Sequence, residues 1–280
     1  KLLLGESSGA TGEDVDCGGL CATDFDDIRF TKSDGTTVLD YWIESISGAT
    51  PNQLATIWIE FNSIGEGATT FYLYYGNSGA AAYSSGANTF IVFDDFERGS
   101  NGDTIGGSWT EGAPHIHIST TQKFAGSRSA QSGTADQPYA TLPVTASENI
   151  SVMWRGWKSD AGSLGLYHGD GTTASYTKWE NDEKWYAYNG AAWVELASGI
   201  SHSNWHLFEI NNIDYAANTS DFWVDGTKVK DNGAHHATVL ANSTIMFQGR
   251  IVWGESTYID NVIVRNWRST EPAWGAWGAQ

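Results

Sequence analysis

From Val38 onward, polar and apolar residues take turns along much of the chain. Val38, Asp40, Trp42 and Glu44 interleave with Leu39, Tyr41 and Ile43. Ile57, Ile59 and Phe61 interleave with Thr56, Trp58 and Glu60; Phe71, Leu73 and Tyr75 interleave with Thr70, Tyr72 and Tyr74. A period of two sends alternate side chains to opposite faces, so these runs predict half-buried β-strands. The dipeptides Asp34-Gly35, Asp170-Gly171, Asn189-Gly190, Asp225-Gly226 and Asn232-Gly233 stand between or beside such runs. Each accepts positive φ at low cost and is expected as a hairpin turn. No segment shows the spacing of an amphipathic helix. The Ala-rich piece from Ser78 to Asn88 reads as a loop or a single helical turn. The expected class is all-β.

The pattern breaks at Gly99-Ser100-Asn101-Gly102-Asp103-Thr104-Ile105-Gly106-Gly107-Ser108-Trp109, which cannot hold a regular element. A domain boundary is expected just before it, giving a β-rich domain over 1–92 and a second domain over 93–270. Trp usage changes at the same place: Trp42 and Trp58 precede it and the other twelve follow. Residues 271–280, with Trp274 and Trp277, read as a linker or a strap packed by those rings.

Three segments carry a family resemblance. They are Asp27-Ile28-Arg29-Phe30-Thr31-Lys32-Ser33-Asp34-Gly35-Thr36-Thr37 running into Tyr41-Trp42-Ile43-Glu44, then Tyr72-Leu73-Tyr74-Tyr75-Gly76-Asn77, then Phe93-Asp94-Asp95-Phe96-Glu97. Together they resemble the domain of unknown function family 2341, a small β-rich module of secreted and surface proteins. The second part resembles the concanavalin-like lectin/glucanase or laminin-G-like superfamily. The segments are Phe124-Ala125-Gly126-Ser127-Arg128-Ser129-Ala130, Phe222-Trp223-Val224-Asp225-Gly226-Thr227 and Tyr258-Ile259-Asp260-Asn261-Val262-Ile263-Val264-Arg265. The resemblance implies a small β-sandwich followed by a concanavalin-like jelly-roll β-sandwich.

Composition narrows the partners. The chain has 280 residues, 14 of them Trp, and only 17% are charged, so it is folded rather than disordered. Its formal charge of −18 repels phosphate backbones and anionic headgroups, so nucleic acid and membrane surfaces are not expected partners. No apolar run is long enough to span a bilayer. The chain opens at Lys1 rather than Met, which reads as a mature or trimmed product. Cys17 and Cys21 flank Gly18-Gly19-Leu20, and a short disulfide-closed loop in an oxidising, extracellular setting is expected; two free loop thiols are the alternative.

Sugar rings present flat C–H faces to aromatic planes, and their hydroxyls pair with carboxylates and amides. Trp154, Trp157, Trp179, Trp185, Tyr186, Tyr188 and Trp193 are therefore candidate glycan-binding residues, with Glu180, Asn181, Asp182 and Glu183 between two of them. The competing reading places most of these rings in the core. Trp154 and Trp157 face opposite sides of a strand, so at least one is expected inside. Asp94, Asp95, Glu97 and Asp260 are candidate ligands for a structural Ca²⁺ bridging the first and last strands, a feature the jelly-roll resemblance implies. Glu180, Asp182 and Glu183 supply acids for glycoside hydrolysis but lack the Glu-x-Asp-x-x-Glu pattern of the related glucanases. His115 and His117 alternate on one strand, and His235-His236 are adjacent, with no third metal ligand visible. Asn149, Asn218 and Asn242 open glycosylation triplets.

Members of the first family usually have a strand upstream of Leu2-Leu3-Leu4. Its lack here would leave an open edge, to which another subunit adds a strand in a homo-oligomer, surface layer or virion. The reading is a non-catalytic extracellular glycan-binding or adhesion protein, at a cell or virion surface. A purely structural, self-assembling subunit and a polysaccharide-cleaving enzyme are the alternatives.

Overall fold

The structure is a computed structural model that describes residues 1–61, 63–64, 67–112, 116–132, 138–145, 149–160, 162–169, 174–236, 243–250 and 256–278. His115, Asn242 and the Asp170-Gly171 turn lie outside the described residues. The chain divides into two compact units, one of residues 1–90 with 270–280 and one of residues 91–269. The segment over 271–280 thus joins the first unit. Among the described residues, no helix is long and apolar enough to cross a membrane.

The first unit is a small β-sandwich. Strands β1 (Leu2–Gly5), β2 (Val15–Asp16), β5 (Tyr41–Ser47) and β6 (Leu54–Ile59) form one sheet in the order β2-β1-β6-β5. Strands β3 (Arg29–Lys32), β4 (Val38–Leu39) and β7 (Phe71–Tyr74) form the other in the order β4-β3-β7. Leu2, Leu4, Phe25, Ile28, Phe30, Leu39, Tyr41, Ala55 and Ile57 fill the space between, and Trp274 and Trp277 pack against that core. The alternation from Val38 to Glu44 is one run in sequence but two strands in space, because the chain changes sheets at Asp40. β1 is flanked on both sides, by parallel β2 and antiparallel β6, so the open edge expected at Leu2–Leu4 is closed from within. The Ala-rich region ends in a one-turn helix, α1 (Gly86–Thr89), capped by the Ser85 hydroxyl accepting from Asn88 N at 3.3 Å.

The family-like motif is a lock in this unit. Buried Asp27 accepts from Ala22 N at 2.9 Å and from Gly76 N at 2.7 Å, tying the first motif segment to the second. Asp34 accepts from Thr36 N and Thr37 N and from the Thr37 hydroxyl, which pulls its carboxyl down to about 2 and closes the β3–β4 turn.

Cys17 and Cys21 are free, buried thiols, where a disulfide was expected. Gly18 and Gly19 at positive φ return Leu20 N to Cys17 O at 3.0 Å, so the loop closes through the backbone. The two thiols hydrogen-bond, which together with burial pushes Cys17 up, and both sit among the apolar core residues.

The second unit is a larger sandwich. One sheet has the order β10 (Ile116–Ser119), β11 (Ser129–Ser132), β22 (Thr257–Asn266), β13 (Ile150–Lys158), β18 (His206–Asp214), β19 (Thr219–Val224), β20 (Thr227–Ala234), with β8 (Val92–Asp94) also pairing β22. The seven-stranded sheet has the order β17 (Trp193–Ala197), β16 (Trp185–Tyr188), β15 (Ala174–Trp179), β14 (Ser163–Gly169), β21 (Thr244–Arg250), β12 (Tyr139–Pro143), β9 (Thr110–Glu111). Asp225 and Gly226 adopt φ of 49° and 76° and turn β19 into β20, as the dipeptide predicts. Asn232-Gly233 does not turn a hairpin: it lies inside β20, where the pairing with β19 shifts register. The core between the sheets holds Val152, Trp154, Leu164, Leu166, Trp179, Trp185, Phe208, Ile210, Phe222 and Phe247. Burying each such side chain contributes about 1.5–3 kcal/mol.

Candidate functional site: an aromatic sheet face

Strands β15 and β16 alternate strictly. Ser175, Thr177 and Trp179 are buried while Tyr176 and Lys178 are not; Trp185 and Ala187 are buried while Tyr186 and Tyr188 are not. Cross-strand register carries the pattern over six strands of the seven-stranded sheet, from β12 to β17. One row on its outer face runs Tyr139, Gln248, Gly165, Lys178, Tyr186, Glu195. The next row runs Thr141, Met246, Tyr167, Tyr176, then Tyr188 and Trp193. Four consecutive strands, β14 to β17, therefore align Tyr167, Tyr176, Tyr188 and Trp193 side by side, with Tyr167 buried, Tyr176 and Tyr188 half-buried and Trp193 exposed. Ring centroids are 4.7 Å apart for Tyr167–Tyr176, 6.2 Å for Tyr176–Tyr188 and 5.4 Å for Tyr188–Trp193.

Polar groups frame these rings. Lys178 Nζ lies 4.3 Å from the Trp193 ring centroid and 5.7 Å from that of Tyr186, and pairs with Glu180 at 2.5 Å. Lys184 pairs with Glu195 at 2.7 Å, and the Tyr186 hydroxyl donates to Asp182 at 2.5 Å. That bond holds Asp182 below the usual carboxylate range and raises Tyr186. Gly165 leaves no side chain in the first row. The Tyr167 ring covers that spot, close enough that a Cβ there would lie 3.0 Å from its hydroxyl oxygen. Tyr167 donates to Gln248, and burial pushes its phenol up.

The aromatic candidates separate. Tyr186, Tyr188 and Trp193 stand together on this face, and Trp193 is 41% exposed. Trp154, Trp179 and Trp185 are core residues at 1–2% exposure, because their strand positions point between the sheets. They surround Phe208: Trp154 stacks on it at 5.4 Å, Trp179 lies tilted at 5.4 Å and Trp185 meets it edge-on at 5.1 Å. Trp157 is half-buried on β13, in the other sheet, edge-on to Tyr258 at 5.2 Å. Tyr139, Tyr167, Tyr176 and Lys178 were not among the candidates; extending the period-two pattern one strand further from Tyr186 and Tyr188 finds Tyr176 and Lys178.

The acidic candidates also separate. Asp94 is spent on protein partners: both oxygens pair with Arg98, at 2.7 and 2.9 Å, and the Trp109 indole N–H donates at 2.6 Å. Asp95 accepts from Glu97 N at 3.2 Å and is raised by burial. Glu97 and Asp260 do converge, on one loop. Glu97 accepts from Ser127 N and Arg128 N, each at 2.7 Å, and Asp260 accepts from Phe124 N at 2.9 Å and Ala125 N at 3.3 Å. Asp260 is 1% exposed. Burial pushes its carboxyl up to about 7, with a smaller push from the Glu97 charge. Among the described residues, no three His, Cys, Asp or Glu side chains are grouped to hold a metal ion. Of the four acidic candidates, Glu97 and Asp260 share this loop, and Asp94 is turned to Arg98 and Trp109 instead.

Fold and site define an all-β protein of two sandwiches, the larger with an aromatic sheet face. The family described as Domain of unknown function (DUF2341) matches residues 24–112, about a third of the chain, and this match runs past the first unit into β8 and β9. A search of curated proteins found no match. Among solved structures, a sialidase is similar over 57% of this chain, with TM-score 0.46 and 16% identity; the chain spans 17% of that protein's length. A Bacillus subtilis protein of unknown function with a galectin-like fold is similar over 49% of this chain and 82% of its own, with TM-score 0.38 and 13% identity. The Caenorhabditis elegans galectin LEC-6 is similar over 45% of this chain and 89% of its own, with TM-score 0.36 and 11% identity.

Proposed function

We propose that this is a non-catalytic, extracellular glycan-binding protein that reads a polysaccharide on the outer face of its seven-stranded sheet. The observation that carries the reading is the unbroken row Tyr167, Tyr176, Tyr188, Trp193 on neighbouring strands. Strands lie about 4.8 Å apart, so the three accessible rings of the row, Tyr176, Tyr188 and Trp193, offer an extended stacking surface rather than a single pocket. Hydroxyl partners flank it in Gln248, Glu180, Asp182 and Glu195. These acids support binding over hydrolysis: Glu180 and Glu195 are paired with lysines, and Asp182 is held ionised, whereas a general acid needs a raised carboxyl. The pairing of β8 with β22 supports reading this unit as a concanavalin-like jelly roll. Glu97 and Asp260 are the residues that would hold a structural Ca²⁺, which would neutralise the buried Asp260 carboxylate.

A glycan array probed with the whole chain tests the reading, followed by calorimetry with Tyr188→Ala. We expect binding to one polysaccharide class and its loss in the variant. Binding that survives Tyr188→Ala and Trp193→Ala together would move the site elsewhere. The calcium part is read separately, as a rise in melting temperature on adding CaCl2 at pH 8 that Asp260→Asn removes.

A further inference from the structure

The histidines left over by this reading form a cluster of their own inside the second sandwich. His168, on the inward face of β14, and His235, just after β20, are each 1% exposed. With Tyr215 they make a triangle of rings: 5.8 Å between the two imidazoles, 6.0 Å from His168 to Tyr215 and 5.8 Å from Tyr215 to His235. The hydrogen bond to a carbonyl fixes the tautomer of His235. His235 Nε2 lies 3.2 Å from the Asp214 backbone carbonyl, which only accepts, so Nε2 carries the proton and Nδ1 is a lone pair. His168 Nδ1 lies 3.1 Å from the Tyr215 hydroxyl. His235 Nδ1 and His168 Nε2 have no hydrogen-bond partner among the described residues.

Two buried imidazoles, each with one nitrogen on an oxygen partner and the other left open, reproduce the outer-partner arrangement that orients metal-ligating histidines. We infer that His168 Nε2 and His235 Nδ1 form a binding site for a divalent transition metal of the zinc, nickel or copper kind, with the Asp214 carbonyl and the Tyr215 hydroxyl as orienting partners. Neutral imidazole is the ligand such ions prefer, and the hard ion expected at Glu97 and Asp260 is of a different class. Both rings are almost fully buried, away from water that would compete for the open nitrogens. For His168, binding requires the tautomer in which Nδ1–H donates to Tyr215. His236, next in sequence, faces the Tyr188 ring at 5.7 Å and takes no part. The site is independent of the glycan reading, although β14 carries Tyr167 on one face and His168 on the other.

The test is calorimetric titration of the EDTA-treated, dialysed chain with ZnCl2 at pH 7, together with the visible spectrum on adding CoCl2. We expect about one tight metal per chain, at least tenfold weaker in His235→Ala and in His168→Gln, and unchanged in His236→Ala and Asp260→Asn. A cobalt band present in the parent and missing in His235→Ala places the metal on that ring. Absence of tight binding, or binding equally strong in His235→Ala, overturns the inference. So does an anomalous map from a zinc-soaked crystal showing only an ordered water between the two rings. If His168→Gln loses its fold by circular dichroism, His235→Ala, at the end of a surface strand, decides alone.

Discussion

The two faces of β15 and β16 carry the same kind of side chain to opposite ends. Inward, Trp179 and Trp185 meet Phe208 and sit sealed at 1% exposure. Outward, Tyr176, Tyr186 and Tyr188 lie half-buried beside Trp193 and mix with paired charges. What separates them is the company they keep. Trp185 meets other aromatic rings and Trp179 adds Lys158, His202 and His206 at one edge of the core, whereas the outer rings lie among the ion pairs Lys178–Glu180 and Lys184–Glu195. An aromatic residue in a strand therefore announces a contact, and the other members of its face decide whether that contact is core or ligand.

The contrast breaks most readily from the inside. Trp185→Ala removes contacts to Trp154, Phe208 and Phe222, and should cost about 3–5 kcal/mol in denaturant unfolding. A loss below about 1 kcal/mol would mean that the inner face is not the core.

A buried charge probes the same inside. Asp260 has its carboxyl raised to about 7 by burial, against an ordinary value of 3.8. A carboxyl raised on folding stabilises most below its unfolded value. Stability should thus fall, on the order of 2–4 kcal/mol, as pH rises from about 4 through 7 in calcium-free buffer. Asp260→Asn should flatten that decline, and added CaCl2 should offset it at pH 8 more than at pH 5.

Effects on the outer face are smaller in stability and larger in binding. Trp193→Ala should leave the unfolding midpoint within about 0.5 kcal/mol while weakening glycan binding about tenfold, or about 1.4 kcal/mol. The smallest change is Tyr186→Phe. It removes the bond to Asp182, so the Asp182 carboxyl should titrate higher by NMR, with stability within about 0.5 kcal/mol of the parent.

Much of this was legible in the chain. Alternation predicts the strands, and Asp34-Gly35 and Asp225-Gly226 mark hairpins because their φ values are turn values. Period-two spacing also separates Trp185 and Ala187 from Tyr186 and Tyr188, but it does not say which set is inside, since both are aromatic. Trp154 and Trp157 were expected on opposite faces of one strand, and Trp154 is the buried one. Asn232-Gly233 misleads because Asn232 takes a turn-like φ of 45° within the irregular pairing of β20, without turning the chain. The change of sheet at Asp40 leaves no mark in the alternation. Asp94 and Asp260 look alike in sequence; only the structure shows Arg98 and Trp109 answering one and backbone amides the other.

The row from Tyr167 to Trp193 crosses its strands rather than following one. A polymer resting along it would bridge segments that the chain connects only through successive hairpins. Tension on such a polymer would be shared among the three neighbouring ribbons that carry Tyr176, Tyr188 and Trp193 instead of peeling the outermost from the sheet. Were the proposed glycan to lie there, the direction in which the rings are aligned would let the face hold a long chain under load.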